Sequence, residues 1–371
     1  MGRVRADPTA NLASRAPKTV YVSHFWHGQN AIMKDRITIR DVARKAGVSL
    51  GTASRALNRT GRVSESAIAA VEQAARSLDY RPDAVARSLR TKSSGVIGLL
   101  VSDLANPLYA RIITATESAL QAEGYSLLVA STHNERRREA SLIEIFRGRR
   151  VDALILGPCE RESADLIDEL SQEIPVVALD REFGTSSVGI HVDHAAGAFQ
   201  ATQYLLNLGH RRIALLTPGT DLRTGKERIA GFRHAYDVHG ISPDPALIRA
   251  EQSAMQFAFA EAMSLLSHAN RPTAFVCLGT RILSGVLQAL RHTGDSVPND
   301  ISVISIGDTD LSRLFSPSIT SLSWDLEAMG TCAAQQVLKQ LDRQTSSEQG
   351  DRIVIKTQLI LRESCAPVAP S

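Results

Sequence analysis

Along residues 38–58 apolar positions recur at the spacing of two short helices. Ile39, Val42, Ala43 and Ala46 fall at i, i+3, i+4 and i+7, which is one face of a helix. Thr38 stands before it as a capping hydroxyl, and Asp41 three residues on makes an approximate capping box. Gly47 breaks this helix and Val48 supplies the apolar residue of the corner. Ser49 can cap a second helix, in which Ala53, Ala56 and Leu57 point back at the first and Leu50, Gly51, Ser54 and Arg55 face outward. Ser64 caps a third, with Ile68, Val71, Ala75 and Leu78 as its buried stripe. Two short helices joined through a glycine turn predict a helix-turn-helix, and an outward face ending in arginine suits a major groove, where Arg pairs with O6 and N7 of guanine. A helical hairpin inside an ordinary core would show the same stripes, so the rest of the chain has to decide.

From Val96 the pattern changes to short apolar runs alternating with amphipathic stretches of ten or more residues. VIGLLV, SLLVAS, ALILG, PVVALD, RIALLTP, TAFVCLG and ISVISIG are seven runs of the buried parallel type. Alternation of this kind predicts α/β architecture with right-handed crossovers. About 270 residues exceed one comfortable doubly wound sheet, so two lobes are expected. Ligands of open α/β sheets sit beyond the carboxyl ends of the strands, which is where binding residues are sought.

Composition narrows the classes. The 371 residues are 43% hydrophobic and 22% charged, ordinary for a soluble globular protein. No apolar run approaches the roughly 18 residues of a membrane span, and the N-terminus lacks an uninterrupted apolar core of a signal peptide, so a cytoplasmic protein without membrane partners is expected. Cys159, Cys277, Cys332 and Cys365 are scattered without metal-ligand or CxxC spacing and suit reduced thiols. The net charge of +3 hides an asymmetry: residues 34–92 hold thirteen Lys/Arg against six Asp/Glu, whereas residues 93–371 hold 25 against 32. A basic head on an acidic body is what a DNA-binding module attached to another domain requires. There is no dinucleotide fingerprint, P-loop, GxSxG or HExxH motif, so neither an enzyme nor a cofactor is expected.

Beyond the two helices, Asp41-Val42-Ala43, Ala46-Gly47-Val48-Ser49, Thr52, Ser54-Arg55, Leu57-Asn58, Val63-Ser64, and Tyr80 with Pro82 follow in order. With them the sequence resembles the lactose/galactose repressor (LacI/GalR) family of bacterial transcription regulators, and the resemblance runs on to Arg362-Glu363-Ser364. It implies an N-terminal all-α helix-turn-helix head and hinge, followed by a two-lobed type I periplasmic-binding-protein-like domain with parallel sheets. The expected boundaries are an unstructured extension at 1–36, the head at 37–81, a hinge at 82–95, the effector-binding and dimerisation domain at 96–365, and a tail at 366–371. Residues 1–33 match nothing in the family, whose members generally begin near Met33. The resemblance assigns DNA contacts to Thr38, Ser49, Leu50, Gly51, Thr52, Ser54, Arg55 and Asn58. It also assigns them to Ala86 and Leu89 of the hinge, where paired leucines wedge into the minor groove. Asp83 replaces the usual hinge asparagine.

In the large domain Asn106-Pro107-Leu108-Tyr109 resembles the family's Asn-Pro-Phe-Phe/Tyr turn, Asp180-Arg181 its Asp-Arg pair, and Arg228 to Phe232 its Arg-x-x-Gly-Phe. These imply effector contacts from Leu108, Tyr109, Asp180 and Arg228, joined by Gly279 and Asp308 at two further strand ends, and Trp324 is placed to reach the cleft. Two departures stand out. Relatives usually carry Asn-Asp where this chain has Gly279-Thr280, and Asp-Asp where it has Gly307-Asp308. The loss of polar groups beside Arg228 and Arg281 shifts expectation from a neutral sugar towards a sugar acid or other organic acid. The expected partners are a palindromic double-stranded DNA operator, a small-molecule effector and a second copy of the chain, since no leucine-heptad tail follows Cys365 to make a tetramer. A ligand-binding transport component shares the large fold, but it would need export and no DNA-binding head.

Overall fold

The computed structural model describes residues 37–80, 93–157, 159, 164–181, 188–342 and 352–368. The N-terminal extension, the part of the hinge that holds Asp83, Ala86 and Leu89, and the end of the tail lie outside the described residues. The chain divides into two compact units, Met1–Pro82 and Asp83–Ser371.

In the first unit three helices surround one small core. Helix α1 (Ile39–Ala46) begins at Thr38, whose amide and hydroxyl both donate to the Asp41 carboxylate, at 2.9 and 2.7 Å. It ends at Gly47 in the left-handed region, φ 66°, where a side chain would be strained. Helix α2 (Leu50–Asn58) starts at Ser49, whose hydroxyl accepts from the Thr52 amide at 3.1 Å. Helix α3 (Glu65–Ser77) is capped by Ser64. Val42, Ala43, Ala53, Ala56, Val71, Ala74 and Ala75 make the buried centre, with Ile39, Ala46, Val48, Leu57, Ile68 and Leu78 packed around it. The small residues let three short helices approach closely.

The second unit contains two six-stranded sheets. In the first lobe the order is β11-β5-β4-β3-β1-β2, all parallel. These strands are β1 (Val96–Val101), β2 (Ser126–Ser131), β3 (Ala153–Leu156), β4 (Val176–Leu179), β5 (Val188–Val192) and β11 (Arg352–Ile355). In the second lobe the order is β12-β10-β9-β8-β6-β7, parallel except for the β10–β12 pair. It holds β6 (Ile213–Pro218), β7 (Ile248–Glu251), β8 (Ala274–Cys277), β9 (Ser302–Ile306), β10 (Thr320–Ser323) and β12 (Gln358–Ile360). The seven apolar runs are all strands, though β2 is half-exposed at a sheet edge rather than buried.

Helices cover both faces of each sheet. In the first lobe α4 (Pro107–Ala122) and α12 (Leu326–Leu341) pack on one face, α5 (Arg136–Gly148) and α6 (Ala164–Ser171) on the other. In the second, α7 (His194–Asn207) and α8 (Arg223–Val238) face α9 (Met255–Leu266) and α10 (Thr280–Thr293) across the sheet, and α11 (Asp310–Leu314) is a short turn before β10. The chain passes between lobes three times, after β5, after β10 and after β11. The first and third crossings are tied together: the Asp193 amide donates to Ile355 O at 3.0 Å and the Asp193 carboxylate caps α7. The tail does not hang free where it is described. Ala366 N donates to Ser302 Oγ at 3.1 Å, Val368 N to Leu208 O at 3.0 Å, and His210 reaches Ala366 O, so these residues belong to the second lobe.

Candidate functional site

On α2 the buried alanines fix which side faces solvent. Leu50, Gly51 and Arg55 are exposed, and Thr52, Ser54 and Asn58 half-exposed. The Arg55 Nε donates to Gly51 O at 3.2 Å, which steers the guanidinium along the helix and leaves its terminal amino groups without a partner among the described residues. Other assigned residues are partly occupied by the helix itself. The Ser49 and Thr52 hydroxyls bond each other at 2.9 Å, the Asn58 amide donates to Ser54 O at 2.6 Å, and Thr38 is committed to Asp41. Leu50, Gly51 and Arg55 are thus the side of α2 open to a partner.

In the second unit a cavity of about 750 Å³ lies between the lobes, of a size that suits a small molecule. Its walls come from the carboxyl ends of strands in both sheets. Ser102, Asp103, Asn106, Leu108 and Tyr109 follow β1, and Leu179 and Asp180 end β4. Pro218 ends β6 and Gly219 and Asp221 follow it, Glu251 ends β7 and Gln252 to Ala254 follow it, Leu278 to Arg281 follow β8, and Trp324 follows β10. Five of the six expected effector residues are here: Leu108, Tyr109, Asp180, Arg228 and Gly279.

The sixth, Asp308, is not among the lining residues. Its carboxylate is held by Arg313 at 2.7 Å and by Arg362. Burial would raise its pKa, but the two arginines hold it below the ordinary carboxylate range. This orientation has a local setting. Gly307 takes φ 81°, and a Cβ there would lie 2.7 Å from Leu108 Cδ2. Leu108 therefore fills the space beside Gly307, and Asp308 turns towards the arginines instead.

Asp180 does not offer a free acceptor either. Its own φ is 53°, and Oδ1 takes Arg223 Nη2 at 2.7 Å and the Val192 amide at 3.2 Å. Its Oδ2 meets His194 Nε2 at 2.8 Å. Burial opposes ionisation, yet these contacts keep the Asp180 carboxyl below its usual pKa. Burial pushes His194 down, so the imidazole is neutral at pH 7 and its Nε2–H donates to Asp180. His194 Nδ1 then accepts from Arg228 Nη2 at 3.4 Å, while Arg228 Nη1 donates to Leu278 O at 2.9 Å. Gly231 makes this arrangement fit, since a Cβ there would sit 2.0 Å from Ala195 O. Only glycine lets α8, which carries Arg228, approach the start of α7, which carries His194.

His194 and Arg223 escaped the sequence reading. A signal for Arg223 was present in its i, i+4 spacing to Glu227, with which it forms an ion pair. His194 follows β5, a short strand whose apolar run is broken by Gly189 and His191. Two contacts also cross the cleft mouth: Arg281 Nη2 to Asp103 Oδ2 at 2.6 Å, and the Thr280 hydroxyl to Asn106 Oδ1 at 3.4 Å.

Among the described residues no cluster of metal-ligating side chains occurs and no helix is long and apolar enough to cross a membrane. The second unit thus has an interlobe cavity of small-molecule size, and α2 has an exposed face that carries the Arg55 guanidinium. Both in one chain define a ligand-responsive DNA-binding regulator.

Comparison with known proteins gives the same class. Residues 38–83 match the family of bacterial regulatory proteins of the lacI type, and residues 202–365 match the periplasmic binding protein-like domain. The HTH-type transcriptional repressor PurR of Edwardsiella ictaluri is 32% identical over 336 residues, covering 89% of this chain and 97% of the relative. The HTH-type transcriptional regulator DegA of Bacillus subtilis is 29% identical over 337 residues, covering 90% of this chain and 99% of its own. The lac repressor dimer bound to operator and the anti-inducer ONPF has a similar structure, with TM-score 0.79, 27% identity, 89% of this chain and 99% of that one covered. The chain belongs to the lacI family of bacterial regulatory proteins.

Proposed function

We propose that the chain is a dimeric repressor that binds a palindromic operator through α2 and is switched by a small molecule in the interlobe cleft. The observation that carries this reading is the buried Arg228, which lines a cavity between two lobes of a protein whose other unit is a helix-turn-helix head. Two-fold symmetry would place two copies of α2 on half-sites about one helical turn apart. Thr38, Ser49, Thr52, Ser54 and Asn58 position the helix and touch phosphates, while Leu50, Gly51 and Arg55 read bases. Ala86 and Leu89, in the hinge, supply the minor-groove wedge.

Leu108, Tyr109, Gly279 and Arg228 touch the effector, and Asp180 orients Arg223 and His194 around it. Asp308 acts on the second lobe and not on the ligand. The effector is a sugar, sugar acid or other organic acid, and the regulator works in the cytoplasm, where DNA is. No catalytic role is assigned. A ligand moves the DNA equilibrium only by its unequal affinity for two states, and a cleft closed by contacts from both lobes supplies such states. Selection of bound sequences from a random DNA pool tests the reading: a two-fold symmetric consensus is expected, and recovery of no consensus would refute it.

A further inference from the structure

Arg228 is 8% exposed and makes no ion pair with any described carboxylate. Asp180, the acid in the same network, is occupied by Arg223, His194 and the Val192 amide. Among the described residues the guanidinium charge therefore has only a backbone carbonyl and a neutral imidazole as direct partners. Its Nε has no hydrogen-bond partner. Beside it the His194 ring meets Trp324 edge to face, with centroids 6.0 Å apart, and Trp324 Nε1 is likewise buried without a partner. Both side chains line the cleft.

We propose that the effector of this chain carries a single carboxylate, seated against Arg228 with Trp324 Nε1 as a further donor. The proposal rests on the reading of the cleft as the effector site and narrows its ligand. Guanidinium and indole are donors only, so the floor wants a group that only accepts. A hydroxyl would leave its own proton unmatched there, whereas an ionised carboxylate only accepts and neutralises the buried charge. The neighbouring floor is apolar: Leu179, Ile306 and Met329 line it, and Leu108 occupies the space beside Gly307. At the rim Asp221 and Glu251 are exposed and carry no ion pair among the described residues. Those two acids disfavour a second negative charge, so the ligand is a monoanion with its carboxylate innermost.

Thermal denaturation of the full chain with matched ligands tests this. The panel pairs gluconate with glucose and galactonate with galactose, adds short hydroxy acids with their amides, and includes a dicarboxylate, galactarate. At one hundredfold excess over Kd a binding monocarboxylate should raise Tm by about 5–10 °C, while its neutral partner and the dicarboxylate leave it within about 1 °C. Arg228→Gln should abolish the shift, and Trp324→Phe, which keeps the ring and removes only the donor, should weaken the acid several-fold. A neutral sugar that shifts Tm as much as its acid would overturn the carboxylate. If Tyr109→Phe or Trp324→Phe then weakened that sugar, the cleft would stand as the effector site. An acid whose shift survives Arg228→Gln unchanged would overturn both readings. A panel in which no acid shifts Tm would also sink the carboxylate.

Discussion

Two buried arginines of the second unit should differ sharply in what the same substitution costs. Arg181 is 1% exposed and paired with Glu139 at 2.5 Å, with Gly157 O also accepting at 3.1 Å. Replacing it by methionine keeps the stem and strands a buried carboxylate, a loss of about 3–5 kcal/mol. At about 2–4 °C per kcal/mol for a domain of this size, Tm should fall by roughly 6–20 °C. Arg228 has no such partner. Burial lowers its pKa from 12.5 to about 10, which at about 1.4 kcal/mol per pH unit corresponds to about 3 kcal/mol of unfavourable burial. Arg228→Met removes that cost and loses a charge-assisted bond to Leu278 O of about 1.5–3 kcal/mol. The two nearly offset, so the unliganded protein should stay within about 1–2 kcal/mol of wild type while losing its effector response. Urea denaturation of both variants, followed by far-UV circular dichroism, gives the comparison. If Arg228→Met lost as much as Arg181→Met, Arg228 would be a structural residue and its place in the switch would be wrong.

Arg55→Ala should cost about 1–3 kcal/mol on the preferred site and relax selection at one base position; an unchanged consensus from a selection experiment would reduce Arg55 to a phosphate contact. Burial depresses the His191 pKa to about 4, so the unfolded chain, titrating near 6.5, takes up a proton that the folded one refuses. Stability should therefore fall as pH drops from about 6.5 to about 4, by about 3 kcal/mol for this group, and His191→Gln should flatten the urea midpoint against pH; parallel profiles would refute it. Gly307→Asp should destabilise by about 1–3 kcal/mol, because φ is 81° and Leu108 stands in the way; a neutral result in chemical denaturation would mean that Leu108 yields freely.

Much of this was legible in the sequence because local pattern and tertiary packing agree. The Val42/Ala43 stripe, the Gly47 break and the Ser49 cap act within a few residues, and each sits where its chemistry requires. The same holds for the seven strands that are continuous apolar runs. What escaped were β5 and β10, whose polar His191 and Ser321 are buried only because neighbouring strands enclose them, and β7, β11 and β12, short half-exposed strands at sheet edges. In the cleft, Arg228 and Tyr109 were identifiable from their motifs. The saturation of Asp180 was not, since it depends on Arg223 and His194, 43 and 14 residues away. The engagement of Asp308 was hidden in part for a similar reason: Arg313 lies five residues on, but its other partner Arg362 lies 54 residues on.

The central claim is that one cleft controls one DNA-reading head. Titration of the selected operator with full-length protein, with and without a cleft-binding effector, tests it directly when Arg228→Ala and Leu89→Ala are run beside wild type. Arg228→Ala should bind operator as wild type does and ignore the effector. Leu89→Ala should bind the effector normally yet lose most of its preference for operator over random DNA, because the basic head attracts phosphates anywhere but the wedge contributes only on a bent site. An Arg228→Ala protein that still responded fully, at the same effector concentration, would contradict the account.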